Sequence, residues 1–307
     1  MTIKEWDSIA HWFKHKNAQI HYLEEGEGET LILIHGFPTS SWDFAKVFPE
    51  LIKNYHCVCS NLIGLGRSSS GNSFITISDQ AEAIEALLEN KGITKAHIFA
   101  HDLGDTVALE LMCRSKEGVS KIEWSSCVFM NGGIFQETNT PRLIQKLLDS
   151  PIGFLIGKLS FKITFIKTMK RIFGKNTQPS RVFLDTSWSI LIKNNGRKML
   201  PILGRYLTER KVNKKRWEEP LFHPRLPLGM INGILDPISG KATADRFEEK
   251  GSNLEQPLAI ARDIKKLYEK LSISKAMLTI DKFLIENSDL RHVVRRAFIV
   301  EKFPYSE

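Results

Sequence analysis

Short apolar runs bounded by turn residues recur along the first half of the chain and once more after residue 220. Their branched and aromatic side chains are typical of buried strands. The runs fall at residues 19–24, 30–34, 56–60, 96–100, 127–130 and 226–234. Residues 78–91 and 106–114 instead repeat apolar positions at helical intervals. Gly26 and Gly28 separate the first two runs and predict that these pair as a hairpin.

Strands that alternate with helices predict an α/β protein with a mainly parallel sheet and helices on both faces. The alternation stops after about residue 135, where the pattern is helical, and a strand pattern returns at 226–234. Helices between two strands predict an inserted cap. We expect four parts: the N-terminal part of the α/β core at 1–134, a helical cap at 135–222, the C-terminal part of the core at 223–257, and a basic helical extension at 258–307.

Composition and cysteine spacing favour a globular protein of a reducing compartment. Of the 307 residues, 42% are hydrophobic and 25% are charged, as in ordinary globular proteins. No spacing typical of a disulfide framework or a zinc site connects the four cysteines, Cys57, Cys59, Cys113 and Cys127. Residues 1–10 lack the apolar run of a signal peptide or membrane anchor. We expect a cytoplasmic protein or, alternatively, one bound peripherally at a membrane surface.

A net charge of +8 favours a solvated basic face, with contact to a membrane surface as an alternative. No motif that reads nucleic acid is present, which argues against a nucleic-acid partner. The most apolar stretch, at 151–169, is interrupted by Lys158, Lys162 and Lys167. That interruption indicates an amphipathic helix rather than a transmembrane segment. Composition does not predict the oligomeric state.

Asp102 lies in a sequence with the features of a nucleophile elbow, with Asp where Ser is common. Ala-His-Asp-Leu-Gly-Asp at 100–105 separates a predicted strand from a predicted helix, and the small Ala100 and Gly104 permit a strained turn. An N-cap is the alternative interpretation of Asp102. A carboxylate is ionised at pH 7 without a base. It can open an epoxide or displace a halide, giving an alkyl-enzyme ester that base-activated water must hydrolyse.

Two further motifs have the positions that this chemistry requires. His35-Gly36-Phe37-Pro38 follows a strand, and the backbone N–H groups of Phe37 and Leu103 could converge as an oxyanion hole. The alternative interpretation of this motif is a tight turn that ends the strand. Asp236 follows the strand after the cap, where an acid that orients a histidine would lie, although Asp before Pro also forms turns.

The motifs HGFP, GLGRS, HDLGD and GILDP occur in the order found in the epoxide hydrolase and haloalkane dehalogenase branch of the α/β-hydrolases, which this chain resembles over residues 10–240. Within that branch, HDLGDTVALEL, FMNGGIFQET and LIQKLL are similar to the mesoderm-specific transcript group. The resemblance implies an α/β-hydrolase fold with a helical cap over an Asp nucleophile. It also implies a small apolar electrophilic substrate and no metal or organic cofactor. Candidate substrate contacts are His35, Trp188 and Tyr206.

The C-terminal end is atypical for that branch. A catalytic histidine is expected shortly before a Glu-x-Pro element, but Glu-Gln-Pro at 255–257 is preceded by Lys250 near the expected position. His292 is the one histidine after Asp236 and is a candidate base, although residues 288–296 also resemble a basic amphipathic helix. His101 is expected to point away from its neighbour Asp102. Two hypotheses result, a hydrolase that uses Asp102 and a non-catalytic scaffold that lacks the histidine; an altered transcript is a third explanation of this end.

Overall fold

The computed structural model describes residues 1–71, 74–173, 178–233, 236 and 238–250, together with 264, 282–283 and 299–300. The strands of the main sheet are β1 Ala10–His15, β2 Ala18–Glu25, β3 Thr30–Ile34, β4 His56–Ser60, β5 Lys95–His101, β6 Glu123–Met130 and β7 Leu228–Ile231. Their order across the sheet is β1-β2-β4-β3-β5-β6-β7. Strands β3 to β7 are parallel, while β2 is antiparallel to both of its neighbours.

The predicted hairpin between the first two apolar runs is wrong. Strand β2 pairs with β1, with Ala10 opposite Leu23, and on its other edge with β4. Strand β3 lies between β4 and β5. Four of the five β3 residues are buried, so β3 needs a partner on each edge and cover on both faces. Strand β1 was missed because its side chains are exposed or half-buried, as suits the edge of a sheet.

Helices cover both faces of the sheet, as predicted for an α/β-hydrolase fold. The helices of the sheet region are α1 Ile3–Ser8, α2 Phe48–Leu51, α3 Ile77–Asn90, α4 Leu103–Lys116 and α12 Gly240–Lys250. Strand β3 shows why two layers are needed, because successive side chains point to opposite faces. Ile32 and Ile34 join the apolar cluster that contains α3 and α4, whereas Leu31 and Leu33 join the cluster around Trp6.

A helical insertion lies between β6 and β7, where the helical pattern predicts it. Its helices are α5 Leu143–Leu148, α6 Gly153–Lys158, α7 Lys162–Ile172, α8 Arg181–Leu191, α9 Gly196–Gly204, α10 Tyr206–Val212 and α11 Lys214–Phe222. Buried residues from four of them, including Leu148, Phe165, Leu184 and Leu200, form a cluster of their own. The division into domains stays a prediction.

The part of the C-terminal extension that the structure describes is short. Strands β8 Lys282–Phe283 and β9 Ile299–Val300 form an antiparallel pair. These four residues are strand, whereas Ile264 is helical, so the basic helical extension stays a prediction. Branched residues such as Ile299 and Val300 favour strand over helix. Within the described residues, no helix combines the length and apolar character needed to span a membrane.

Candidate active site

Asp102 stands on a sharp turn between β5 and α4. Its backbone has φ 52° and ψ −108°, a conformation that costs energy for a residue with a Cβ. Its N–H donates to the carbonyl of Met130 at 3.0 Å, which fixes the turn to β6. A Cβ at Gly104 would lie 2.3 Å from the carbonyl oxygen of Ile34, so α4 approaches β3 this closely only with glycine. The Asp102 side chain makes no N-capping hydrogen bond, which disfavours the alternative interpretation.

Two backbone donors converge on the Asp102 carboxylate. The N–H of Phe37 donates to Oδ2 at 2.8 Å, and the N–H of Leu103 also lowers the pKa of the carboxyl group. Gly36 makes this approach possible, because a Cβ there would lie 2.9 Å from Oδ2. The structure therefore brings Phe37, Leu103 and Asp102 together in the arrangement expected from the sequence. Their catalytic roles stay predictions.

Burial and nearby carboxylates govern the charge of Asp102. The pKa of Asp102 is raised to about 6, chiefly by burial and in part by the charge of Asp236, although the backbone N–H groups of Phe37 and Leu103 and the charge of Arg210 act in the opposite direction. Burial also raises the pKa of Asp236, whose Oδ1 accepts the N–H groups of Ile238 at 2.7 Å and Ser239 at 3.0 Å. At pH 7 Asp102 is mostly ionised.

Arg210 is a functional candidate that sequence reasoning missed. It lies on α10, is 5% exposed, and its charge favours the ionised forms of both Asp102 and Asp105. It was missed because it directly precedes the basic run at 211–216, and such a run is typical of a solvated helix end. Its spacing of four residues from Tyr206 places both on one helix face, and that signal could have identified it.

Asp102 borders a cavity between the strand ends and the helical insertion. Asp236 and Trp188, two candidates from the sequence, line the same cavity, and their roles stay predictions. The wall is mostly apolar, with residues that include Ile144, Leu148, Phe165, Met169, Leu191, Leu200 and Ile238. Such a wall suits a small apolar ligand, with Asp102 among the few polar groups that it would meet.

His35 and Tyr206 are buried and do not line this cavity, and their roles as substrate contacts stay predictions. His35 is fully buried; its Nδ1 donates to the carbonyl of Gly36 at 2.8 Å, and its Nε2 accepts the N–H of Leu62 at 3.0 Å. With both nitrogens bonded, the ring holds the Phe37 loop in place. Tyr206 accepts a hydrogen bond from Nε2 of Gln145 at 3.0 Å, and Gln145 itself lines the cavity.

His101 lines the cavity beside Asp102, and the expectation that it points away is wrong. Its Nδ1 lies 3.8 Å from Oδ2 of Asp43, and both side chains are buried. A Cβ at Gly36 would lie 3.2 Å from this Nδ1 and 2.9 Å from Oδ2 of Asp102, so the two groups border one small space. Burial lowers the pKa of His101 to about 4, which keeps the imidazole neutral at pH 7. Sequence reasoning also missed Asp43, which resembles an ordinary turn residue.

His292 and the Glu-Gln-Pro element at 255–257 lie outside the described residues. Lys250 is the last residue of α12. The described part of the chain contains no group of three or more His, Cys, Asp or Glu side chains that could hold a metal ion. Among the described residues of the cavity wall, His101 is the one imidazole.

Comparison with known proteins agrees with the geometry. A family model of the alpha/beta hydrolase fold matches residues 29–145. The chain is 34% identical over 249 residues to the mesoderm-specific transcript homolog protein of Bos taurus, covering 78% of this chain and 74% of that protein. It is 27% identical over 104 residues to a soluble epoxide hydrolase of Corynebacterium sp., covering 34% of this chain and 36% of that protein.

A solved structure gives the same architecture. The haloalkane dehalogenase DbeA from Bradyrhizobium elkani matches with a TM-score of 0.65 and 19% sequence identity. The match covers 78% of this chain and 86% of that chain. At this level of identity the likeness establishes the fold alone.

Proposed function

We propose that this chain, which belongs to the α/β-hydrolase family together with the mesoderm-specific transcript proteins, is a hydrolase whose nucleophile is Asp102. The observation that carries the proposal is the Asp102 carboxylate on a strained elbow, with the Phe37 and Leu103 N–H groups directed at it. Its apolar cavity suits a small electrophile such as an epoxide or an alkyl halide. Relatives named as an epoxide hydrolase and a haloalkane dehalogenase support that substrate class.

In the first step, the Asp102 oxygen that does not receive the Phe37 bond attacks a substrate carbon. A carbon–oxygen bond forms, and either the epoxide carbon–oxygen bond or the carbon–halogen bond breaks. The epoxide oxygen then takes a proton from solvent water, whereas a halide leaves as an anion. An alkyl-enzyme ester on Asp102 results in both cases. The ionised carboxylate needs no base for this step.

In the second step, water adds to the carboxyl carbon of the ester and a base takes its proton. Negative charge then develops on the carboxyl oxygen, where the N–H groups of Phe37 and Leu103 are already directed. The ester bond between the carboxyl carbon and the alkyl oxygen breaks, and the product alkoxide takes the proton back from the base. Asp102 keeps one oxygen from water and loses the second water proton to solvent, which restores the carboxylate. In this proposal Asp236 acts at the same cavity to orient the base.

Two histidines are candidates for the base. His101 borders the cavity, with Asp43 near its Nδ1, and the second candidate, His292, stays a prediction from the sequence. The proton that the water gives up must reach one of these rings, or the ester would accumulate. The two candidates are separated by variants that remove one imidazole at a time.

A specific observation favours a second function, a scaffold that binds a ligand without turnover. Oδ1 of Asp236 is occupied by two backbone N–H groups of its own loop, and His101 faces Asp43. No described imidazole therefore completes the order nucleophile, acid and histidine beside Asp236. Under this alternative, electrophiles leave Asp102 unmodified or form an ester that persists.

The test is mass spectrometry of the intact protein and its peptides after incubation with a small aryl epoxide or haloalkane in heavy-oxygen water. Turnover is expected to give diol or alcohol and to place heavy oxygen in the Asp102 peptide. Asp102→Asn is expected to lower product formation by about 10³-fold or more, because an amide is a poor nucleophile. The exposed Asp245→Asn serves as the matched control and should react like the unmodified protein.

The same experiment distinguishes the bases and the alternative. An ester that persists in His101→Gln but not in His292→Gln assigns the base to His101, and the reverse assigns it to His292. An ester that persists in the unmodified protein supports a nucleophile without turnover. If several electrophiles give neither an ester nor a product, the hydrolase proposal is refuted and the scaffold function remains.

A further inference from the structure

We propose that helices α6 and α7 dock this protein on an anionic lipid surface. The docking surface, here called the apolar patch, is formed by large side chains that are 51–68% exposed: Ile152, Phe154, Leu155, Leu159, Phe161 and Ile163. They fall within twelve consecutive residues, which comprise α6 and the start of α7. An exposed group of this size is uncommon on a protein that meets only water.

The packing of α6 explains why its large side chains point outward. Gly153 and Gly157 form its buried face. A Cβ would lie 2.2 Å from the carbonyl oxygen of Leu148 at Gly153, and 2.6 Å from that of Arg197 at Gly157. The helix therefore packs its glycines against the rest of the insertion and turns Phe154 and Leu155 away. This reverses the usual arrangement of an amphipathic helix, whose large apolar side chains face the core.

Charge around the apolar patch identifies the partner as an anionic surface. Residues 150–173 contain five cationic side chains and no acidic one. Lys162 pairs with Asp185 at 2.9 Å. No described acidic side chain forms an ion pair with the other four cations, Lys158, Lys167, Lys170 and Arg171. Unpaired cations beside exposed apolar side chains are the combination that binds the headgroups and acyl boundary of an anionic bilayer.

The same charge argues against a second copy of the chain as the occupant. In a symmetric dimer the same patch meets itself, so the cations of the two copies would face each other. Like charges brought together in this way repel, and no acidic residue in 150–173 offsets them. Negative headgroups of a lipid surface would attract these cations, so the repulsion between like charges does not arise.

Helix α7 connects the apolar patch to the candidate active site. Its Phe165, Met169 and Ile172 line the cavity, while Ile163, earlier on the same helix, is exposed in the patch. Docking would bring the cavity wall next to the bilayer, so an apolar substrate dissolved in lipid would reach the protein where the cavity is built. The proposal does not depend on the chemistry assigned to Asp102.

The test is cosedimentation of the full chain with phosphatidylcholine vesicles that contain or lack phosphatidylserine. We expect binding that requires phosphatidylserine and weakens as salt concentration rises. The double variant Phe154→Ser, Phe161→Ser should lower the partition coefficient by about tenfold or more, because two side chains no longer enter the bilayer. The control Val119→Ser changes an apolar side chain that is 55% exposed elsewhere and should bind unchanged.

Two control measurements accompany the vesicle test. Asp102→Asn should bind vesicles like the unmodified protein, so a failure of the chemistry and a failure of docking are distinguishable. Circular dichroism of the double variant should match the unmodified protein, which excludes unfolding as the cause of lost binding. Absent binding to phosphatidylserine vesicles, or binding that the double variant retains, would overturn the proposal, as would a concentration-dependent dimer that the double variant abolishes.

Discussion

The elbow and the helical insertion both pack closely at glycines, but the elbow holds the Asp102 side chain at a backbone N–H group and the insertion turns large side chains outward. Around Asp102 the chain approaches itself so closely that glycine is required at positions 36 and 104, and backbone N–H groups fix the carboxylate. In α6 glycines again permit close packing, but there they turn large apolar side chains outward. Backbone contacts therefore set the position of the proposed nucleophile, while the insertion determines which ligands reach it.

Gly104→Ala should lower stability more than any other substitution at the elbow. A Cβ would meet the carbonyl of Ile34 at 2.3 Å, and neither β3 nor α4 can move without disturbing the core. We expect a loss of about 2–4 kcal/mol in the free energy of unfolding, measured by denaturant titration. Gly118→Ala is the control, since nothing lies within 4 Å and only its positive φ is penalised. Equal losses in both variants would contradict close packing at the elbow.

Asp102→Asn should stabilise the folded protein at neutral pH while it removes the proposed nucleophile. The pKa of Asp102 is raised from 3.8 to about 6 on folding, so ionisation costs stability as pH rises through this window. Asparagine does not ionise. The variant should gain on the order of 1–3 kcal/mol at about pH 7.5, and the gain should vanish near pH 4. Urea unfolding at both values measures it, and a gain that is independent of pH would rule out the proposed origin.

Trp188→Ala should act on binding rather than on the chemical step. The indole lines the cavity and packs against Phe165 at a ring distance of 5.6 Å, remote from the elbow in the chain. We expect KM for an aryl epoxide to rise by about tenfold, with kcat within about threefold. Val182→Ala, on the same helix but 74% exposed, should leave both constants unchanged. A fall in kcat with constant KM would place Trp188 in the chemistry.

Phe154→Ser should have the smallest effect on stability, although this side chain belongs to the proposed docking surface. It is 65% exposed, so the free energy of unfolding should change by less than about 0.5 kcal/mol. Leu184→Ala, in the buried cluster of the same insertion, should cost about 2–5 kcal/mol. Thermal and urea unfolding compare the two. A large loss in Phe154→Ser would show that the patch is packed in the folded protein.

The elbow could be predicted because local sterics specify its residue types. Ala100, Asp102 and Gly104 have spacings that a strained turn between strand and helix requires, and the structure places the turn there. The strand pairing could not be predicted, since the neighbours of β2 depend on the order of the whole sheet. Local turn residues at Gly26 and Gly28 do not contain that information.

Contacts within the site between residues that are far apart in the chain could not be predicted from the sequence. Asp43 approaches His101 only once distant segments of the core have folded together, and Arg210 lies near Asp102 only after the insertion folds onto the sheet. His35 lies in a motif associated with the site, yet both of its nitrogens hold the loop. The helical period at 151–169 identifies helices but not the direction of their apolar faces, because Gly153 and Gly157 reverse it.

The pairing of β6 with β7 has a consequence for how such a chain can diversify. Cys127 lies opposite Leu228, so the insertion leaves and re-enters the sheet between two adjacent strands. A different set of helices could be exchanged there as one cassette without altering a single hydrogen bond of the ladder. A chimera that carries another hydrolase's insertion would then keep the Asp102 carboxylate at its elbow and acquire new ligand preferences.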